Sequence, residues 1–293
     1  MAADQSSGFS IGVDLGGTNL RIAAYTPQDG LLETIHLPTR LEAGRLAVVD
    51  DLCNGIQRLH KTHSAQHSLI GIGIGTPGPL ELPAGRLHNP PNLPGWDGFA
   101  LKDEIERRLG MPILLDSDAN VAALAEWALG RGRSLGVDSL CMLTLGTGVG
   151  NGIILHGKVW QGVTGMGGEA GHATIYPEGP ACGCGSNGCL EMYASATAVV
   201  RIAHQLATSG EAPGLAKRSS ENPSRGSENS WTARELADAA RAGDADARGI
   251  YELAGRALGI GLAALVNTLN LPLYVVGGGV AAAWDILDRR AHV

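Results

Sequence analysis

No excess of positive charge runs through this sequence: 22 Lys and Arg stand against 29 Asp and Glu, a formal net charge of −7 over 293 residues. Without a basic field there is nothing to hold a phosphate backbone, so nucleic acid is not an expected partner. Nor is there an unbroken apolar run of membrane-spanning length, about 20 residues. The most apolar stretch, Leu258 to Trp284, is interrupted by Asn267, Asn270, Pro272 and three glycines from Gly277, and no membrane association is expected. The opening MAADQSSGFS has neither the basic start nor the apolar centre of a signal peptide, which points to a cytoplasmic protein. Cysteine is scarce, at five residues. Cys53 and Cys141 are isolated, whereas Cys182, Cys184 and Cys189 fall within eight positions, a cluster that in a reducing compartment suggests metal or redox chemistry before disulfides.

Glycine, by contrast, is abundant: 43 residues, about 15% where ~7% is usual. It follows no Gly-X-Y period, and the chain is 44% hydrophobic, which excludes collagen and general disorder because the apolar content can fill a core. Length suggests two domains of about 150 residues each. Phe9 to Asp14 reads as a strand leading into Leu15-Gly-Gly-Thr-Asn-Leu-Arg21, after which Ile22 to Tyr25 resumes the apolar run. Ser139 to Leu145 leads in the same way into Gly146-Thr-Gly-Val-Gly-Asn-Gly152 and then Ile153 to His156. The two glycine hairpins begin 130 positions apart, so one supersecondary unit is expected once in each domain. Between them the pattern predicts helices over Ala47–His60, Leu101–Leu109 and Val121–Leu129 and strands over Leu69–Gly75 and Pro112–Leu115, an α/β alternation. Residues 209–230 read as a polar loop, and Thr232 as the N-cap of a helix that follows it.

Glycine loops after strands bring backbone N–H groups close to phosphate oxygens, since no Cβ intervenes. Neither loop fits the P-loop or the Gly-x-Gly-x-x-Gly dinucleotide pattern. A lone glycine turn is usually just a hairpin bend, but two of them with Asp14, Thr18 and Thr147 suggest a nucleotide. Glu169-Ala-Gly-His172 followed by Cys182-Gly-Cys-Gly-Ser-Asn-Gly-Cys189 supplies one His and three Cys, at intervals of +10, +2 and +5, a closed tetrahedral set suited to structural zinc. The other reading is a redox-active or simply buried cysteine cluster; the complete count of four ligands favours zinc. Asp116-Ser-Asp-Ala-Asn120 lies where a strand meets a helix. Asp and Asn there are commonly helix caps, Asn120 among them, yet an aspartate at a strand end can also accept a proton from an attacking hydroxyl in phosphoryl transfer.

These motifs, with Leu145-Gly-Thr-Gly-Val-Gly150, Cys189-x-Glu191 and Val276-Gly-Gly-Gly279, together resemble the ROK family of repressors, open-reading-frame kinases and sugar kinases, and in particular its bacterial glucokinases. The glycine hairpins alone would indicate only the wider actin and hexokinase fold. The resemblance implies an α/β fold with two ribonuclease-H-like (actin/hexokinase-type) domains around a cleft, residues 1–118 and 119–293. It implies that Gly16, Gly17, Thr18 and Asn19 form the first phosphate loop of an ATP site, that Thr147 and Gly148 form the second, and that Gly277, Gly278 and Gly279 adjoin the adenosine. Asp14 would hold Mg2+ through water, and His172, Cys182, Cys184 and Cys189 a structural Zn2+. The hexose would be bound by Gly78 of the Gly75-Thr-Pro-Gly78 turn, Asp118, Glu169, His172 and Glu191, with Asp118 as the general base on the C6 hydroxyl.

The implied activity is ATP-dependent phosphorylation of a hexose, foremost glucose. Other sugars of the family are N-acetylmannosamine, N-acetylglucosamine and fructose, and a non-catalytic sugar-binding or regulatory member is a further alternative. The repressor reading has little support, because the first hairpin begins about nine residues from the start, too early for a preceding helix-turn-helix, and the charge is negative. A homodimer is the family's common assembly. Two departures stand out. Ser117 replaces the usual Asn before the catalytic aspartate, so one sugar contact is expected to be lost or water-bridged. The sequence also ends at Val293, soon after Trp284-Asp-Ile-Leu287, where relatives continue into a helix that returns to the first domain, and looser domain closure is the expectation.

Overall fold

The computed structural model describes residues 8–215 and 231–291, and most of the polar stretch 209–230 lies outside them. Strand β1 (Phe9–Leu15) alternates as its sequence requires: Phe9, Ile11, Val13 and Leu15 are buried while Gly12 and Asp14 are exposed. Its antiparallel neighbour β2 (Asn19–Thr26) buries Leu20, Ile22, Ala24 and Thr26, and β3 (Gly30–Pro38), a strand the sequence pattern did not single out, pairs with β2 along its whole length. Helix α1 (Arg45–His63) closes this face with Val48, Val49, Leu52, Cys53, Ile56 and Leu59, spaced three and four apart. Helix and sheet approach closely at Gly55, where a Cβ would stand 2.2 Å from Ile22 Cδ1.

Parallel strands β4 (Leu69–Thr76) and β7 (Leu114–Ser117) complete the sheet in the order β3-β2-β1-β4-β7; the short ribbon β5 (Leu80–Glu81) and β6 (Arg86–Leu87) and helix α2 (Leu101–Leu109) lie between them in sequence. Helix α2 has the predicted bounds and stops at Gly110, whose φ of +67° gives the left-handed C-terminal residue that glycine adopts without penalty. The register sets Asp14 of β1 beside Gly75 of β4 and Gly75 beside Asp116 of β7, one row across the C-terminal ends of the parallel strands. Ligands of open α/β sheets bind at such ends.

Helix α3 (Asp118–Ala128) starts three residues earlier than the sequence pattern indicated. The chain forms two compact units, 1–121 with 160–167, and 122–159 with 168–293. After the short α4 (Arg131–Leu135), the second unit repeats the motif of the first. The antiparallel pair β8 (Leu140–Leu145) and β9 (Val149–Leu155) is flanked by the two-residue β10 (Lys158–Val159) on one side and the parallel β11 (Tyr274–Gly277) on the other. Its core is built by α5 (Glu191–Ala194), α6 (Ala196–Ser209), α7 (Ala233–Arg241), α8 (Ala245–Leu269) and α9 (Trp284–Ala291). Thr232 caps α7 as expected: its hydroxyl accepts from Glu235 N at 3.2 Å while the Glu235 carboxylate accepts from Thr232 N at 2.8 Å. Helix α8 is long and apolar enough to cross a membrane by length and composition. Its Ile250, Tyr251, Ala254, Ala257 and Leu258 are buried in the core of the unit, which accounts for that composition.

Candidate active site

In the first unit, the bend Leu15 to Asn19 is held from within by Gly16 N–H donating to Asn19 O at 2.9 Å and from outside by Thr39, whose hydroxyl donates to Gly16 O at 2.7 Å and whose N–H donates to Thr18 O at 2.8 Å. Gly17 has no room for a side chain, since a Cβ would stand 2.5 Å from Asn92 O. The loop Asn92-Leu-Pro-Gly-Trp96, anchored by buried Leu93 and Trp96, therefore backs directly onto this bend. Asp14, facing Arg21 across the β1–β2 pair, accepts from Arg21 Nη1 at 3.1 Å, and both side chains are half-exposed.

The C-terminal end of β4 comes close to the start of α3, since a Cβ on Gly75 would lie 3.4 Å from Asp118 Cα, and Gly78 follows just beyond the strand. Asp118 opens α3 with an exposed side chain, and its Oδ1 accepts from Ala119 N at 2.7 Å. Asn120 is not the helix cap. It is the third residue of α3, and the cap is Ser117, whose hydroxyl accepts from Asn120 N at 3.2 Å. A serine here thus holds the helix start that carries Asp118. Asp116 accepts from Ser117 N at 2.7 Å and Asn120 Nδ2 at 2.8 Å through one oxygen and from Gln161 Nε2 at 2.6 Å through the other.

In the second unit, Gly146 N–H donates to Gly148 O at 2.9 Å, and α6 supports the bend from below: Ala196 N donates to Gly146 O and the Thr197 hydroxyl to Thr147 O, both at 2.8 Å. Glu191 accepts from Val149 N at 2.9 Å through Oε2, so its carboxylate lies on this bend. Gly278 has φ +91° and a Cβ there would stand 2.5 Å from Leu145 O, so Gly278 is seated against the end of β8 beside the bend, next to Gly277, which pairs with Thr144. Glu169 keeps an open side chain, but the protein packed around it pushes its carboxyl upward; His172 opposes that shift and the Glu191 carboxylate adds to it.

His172, Cys182, Cys184 and Cys189 are brought together: one donor atom from each lies within 4.8 Å of all the others, with His172 Nδ1 3.5 Å from Cys182 Sγ and the Cys184 and Cys189 sulfurs 3.6 Å apart. The loop can wrap so tightly because Gly188, at φ +60°, leaves its Cβ position to Tyr176 O. Burial pushes the Cys189 thiol up to about 12, a cost that a bound cation would remove by favouring thiolate.

Residues 10–291 match the sequence profile of the ROK family. The chain belongs to the ROK family. A glucokinase of Halalkalibacterium halodurans is 38% identical over 284 residues, which cover 96% of this chain and 83% of that protein. Among solved structures, a ROK hexokinase from Thermus thermophilus is 35% identical with a TM-score of 0.78, covering 97% of this chain and 87% of that one. A ROK family glucokinase from Streptomyces griseus, solved in complex with glucose and AMPPNP, is 33% identical with a TM-score of 0.79 over 97% of this chain and 88% of its own. The α/β fold with its doubled glycine hairpin is accordingly the two-domain fold of the ROK hexokinases.

Two groups of residues in this ROK chain escaped the sequence reading. The Asn92–Trp96 loop behind Gly17 was signalled by its run of Pro90, Pro91, Pro94 and Gly95. The bond between Gln161 and Asp116 had no local signal, because its partners are 45 positions apart.

Proposed function

We propose that this ROK protein is an ATP-dependent hexose kinase that transfers a phosphoryl group to the C6 hydroxyl of glucose. The observation that carries the proposal is the pair of glycine bends at the ends of β1 and β8, each with a central glycine whose Cβ position is already taken by a neighbour, Gly17 in one and Gly148 in the other. Such bends offer N–H groups to phosphate oxygens. Gly16, Gly17, Thr18 and Asn19 take one part of the triphosphate, Thr147 and Gly148 another, and Gly277 to Gly279 lie by the adenosine. Asp14 would hold Mg2+, which when bound would supply positive charge beside the phosphoryl group in transfer.

Asp118 is the general base. Its exposed carboxylate, at a helix start that Ser117 caps and Asp116 braces, accepts the C6 proton while the oxygen attacks in line. Gly78, Glu169, His172 and Glu191 bind the sugar, Glu191 using the oxygen that does not hold Val149 N–H. Carboxylates suit this task because they accept from several hydroxyls. The glucose and AMPPNP in the Streptomyces griseus relative support the same pair of substrates here.

His172, Cys182, Cys184 and Cys189 hold a structural Zn2+, for which tetrahedral ligands at Zn–S distances of ~2.3 Å lie about 3.8 Å from one another; the separations of 3.5 and 3.6 Å fit that set. The cytoplasm, where ATP is available, is the working compartment. A coupled ADP-release assay across glucose, mannose, fructose and the N-acetylated hexosamines tests the reading. The highest kcat/KM is expected for glucose, and turnover confined to another sugar would reassign the substrate while keeping the chemistry.

A further inference from the structure

We infer that Gln161 and Asp116 form a positioning latch for Asp118, an inference that rests on the kinase reading above. Asp116 stands two residues before the proposed base, and one of its oxygens is bonded within the turn that carries that base. One carboxylate oxygen accepts from Ser117 N at 2.7 Å and Asn120 Nδ2 at 2.8 Å, and Ser117 Oγ accepts from Asn120 N at 3.2 Å. Asp118 is thus enclosed in a ring of hydrogen bonds running from Asp116 to Asn120. The other oxygen accepts from Gln161 Nε2 at 2.6 Å, a short, charge-assisted contact.

Gln161 belongs to the segment 160–167, which follows β10 in sequence yet packs with the first unit. Thr164 O accepts from Leu82 N at 3.0 Å, and Gly165 approaches so near that a Cβ would lie 2.7 Å from the same Leu82 nitrogen. The chain then continues directly into Gly168 and Glu169. One hydrogen bond therefore ties the turn of the proposed base to the stretch of chain that leads into the proposed sugar ligands Glu169 and His172. An asparagine at 116 could accept from Ser117 N and Asn120 Nδ2 through its single oxygen; it is the contact with Gln161 that calls for a second acceptor. Gln161 and Asp116 act as positioning residues through their neighbours.

The test is a donor–acceptor exchange in the full chain. Gln161→Glu sets two carboxylates against each other and is expected to lower kcat/KM for glucose about tenfold or more, the scale of loss that small misplacement produces, with ATP KM unchanged. Adding Asp116→Asn reverses the polarity of the pair, since the new amide at 116 then donates to the new carboxylate at 161 while its oxygen still serves Ser117 and Asn120. The double variant is expected within about twofold of wild type. Hydrogen exchange is read on the same proteins: Gln161→Glu speeds exchange in peptides covering 116–120 and 160–167, and the double variant restores it. In a protein with wild-type turnover, unchanged exchange and kinetics in Gln161→Glu, or a double variant no better than the single one, would overturn the latch alone. Absence of sugar-dependent ADP release in the wild type would refute the kinase reading and the positioning role with it.

Discussion

Replacing Gly148 with alanine tests whether Glu191 and the second glycine bend form one device. Gly148 is not in the left-handed region, so alanine meets no backbone penalty there. Its Cβ, however, would stand 2.3 Å from Glu191 Oε2 and 3.2 Å from Glu191 Cδ. The obstructing atom is the end of a flexible side chain, and the way to relieve the contact is for Glu191 to swing aside. That breaks the 2.9 Å bond to Val149 N–H, at a residue only 4% exposed. A hydrogen bond to a charged group contributes about 1.5–3 kcal/mol, and an orphaned buried donor costs a similar amount, so a destabilisation of about 2 kcal/mol is expected. For a domain of this size that lowers Tm by about 4–8 °C.

The decisive measurement is a double-mutant cycle by denaturant or thermal unfolding. Glu191→Ala alone should lose nearly the same stability, and adding Gly148→Ala to it should cost less than about 0.5 kcal/mol, because the bond is already gone and the space is vacant. Glucose KM should rise about tenfold or more in all three variants, a loss of about 1.4 kcal/mol in binding. Additive destabilisation in the double variant, or a Gly148→Ala protein as stable as wild type, would refute the reasoning.

Asp118→Asn should lower kcat by about 10²–10⁴ while nucleotide titration finds ATP affinity retained, and near-normal turnover would remove Asp118 as the base. Cys184→Ser, or stripping with a chelator, should lower Tm and weaken glucose binding together with loss of zinc by metal analysis; full activity in demonstrably metal-free protein would contradict a structural zinc site. Gly278→Ala combines a left-handed φ, which costs about 1–3 kcal/mol for other residues, with a contact to the rigid backbone of Leu145, so it should destabilise strongly, whereas Gly279→Ala, with open space around it, should be nearly neutral in the same melts. Glu104, held down to about 2 by hydrogen bonds from Arg107 and then Arg108, gives stability that is present above its ordinary value of 4.5 and is lost as pH falls toward 2. The stability difference between wild type and Glu104→Gln should therefore shrink across that window in acid-unfolding curves.

Much of the fold was legible because its signals are local. The alternation in Phe9–Leu15, the charged face of Leu101–Leu109 and the Thr232 capping box each act within a few residues, and the observed elements follow them. Repetition of a glycine bend foretold the doubled sheet motif, and the count of one His and three Cys foretold a group whose donors do converge. Where several local readings compete, the sequence was less informative. Ser117 and Asn120 are both cap-forming residues, and the choice between them depends on where the strand β7 releases the chain.

The sequence by itself determined the two glycine bends and the strands and helices with strong local periodicity or caps, though not β3 or the start of α3, since periodicity, capping and the conformational freedom of glycine belong to short stretches of chain. Only the tertiary structure decided how the polar groups are shared. It put Glu191 on the Val149 N–H, seated the Asn92 loop behind Gly17, and joined Gln161 to Asp116. Those pairings arise from packing between segments far apart in sequence, where a hydrogen bond forms only after strand register and helix docking have brought donor and acceptor within reach.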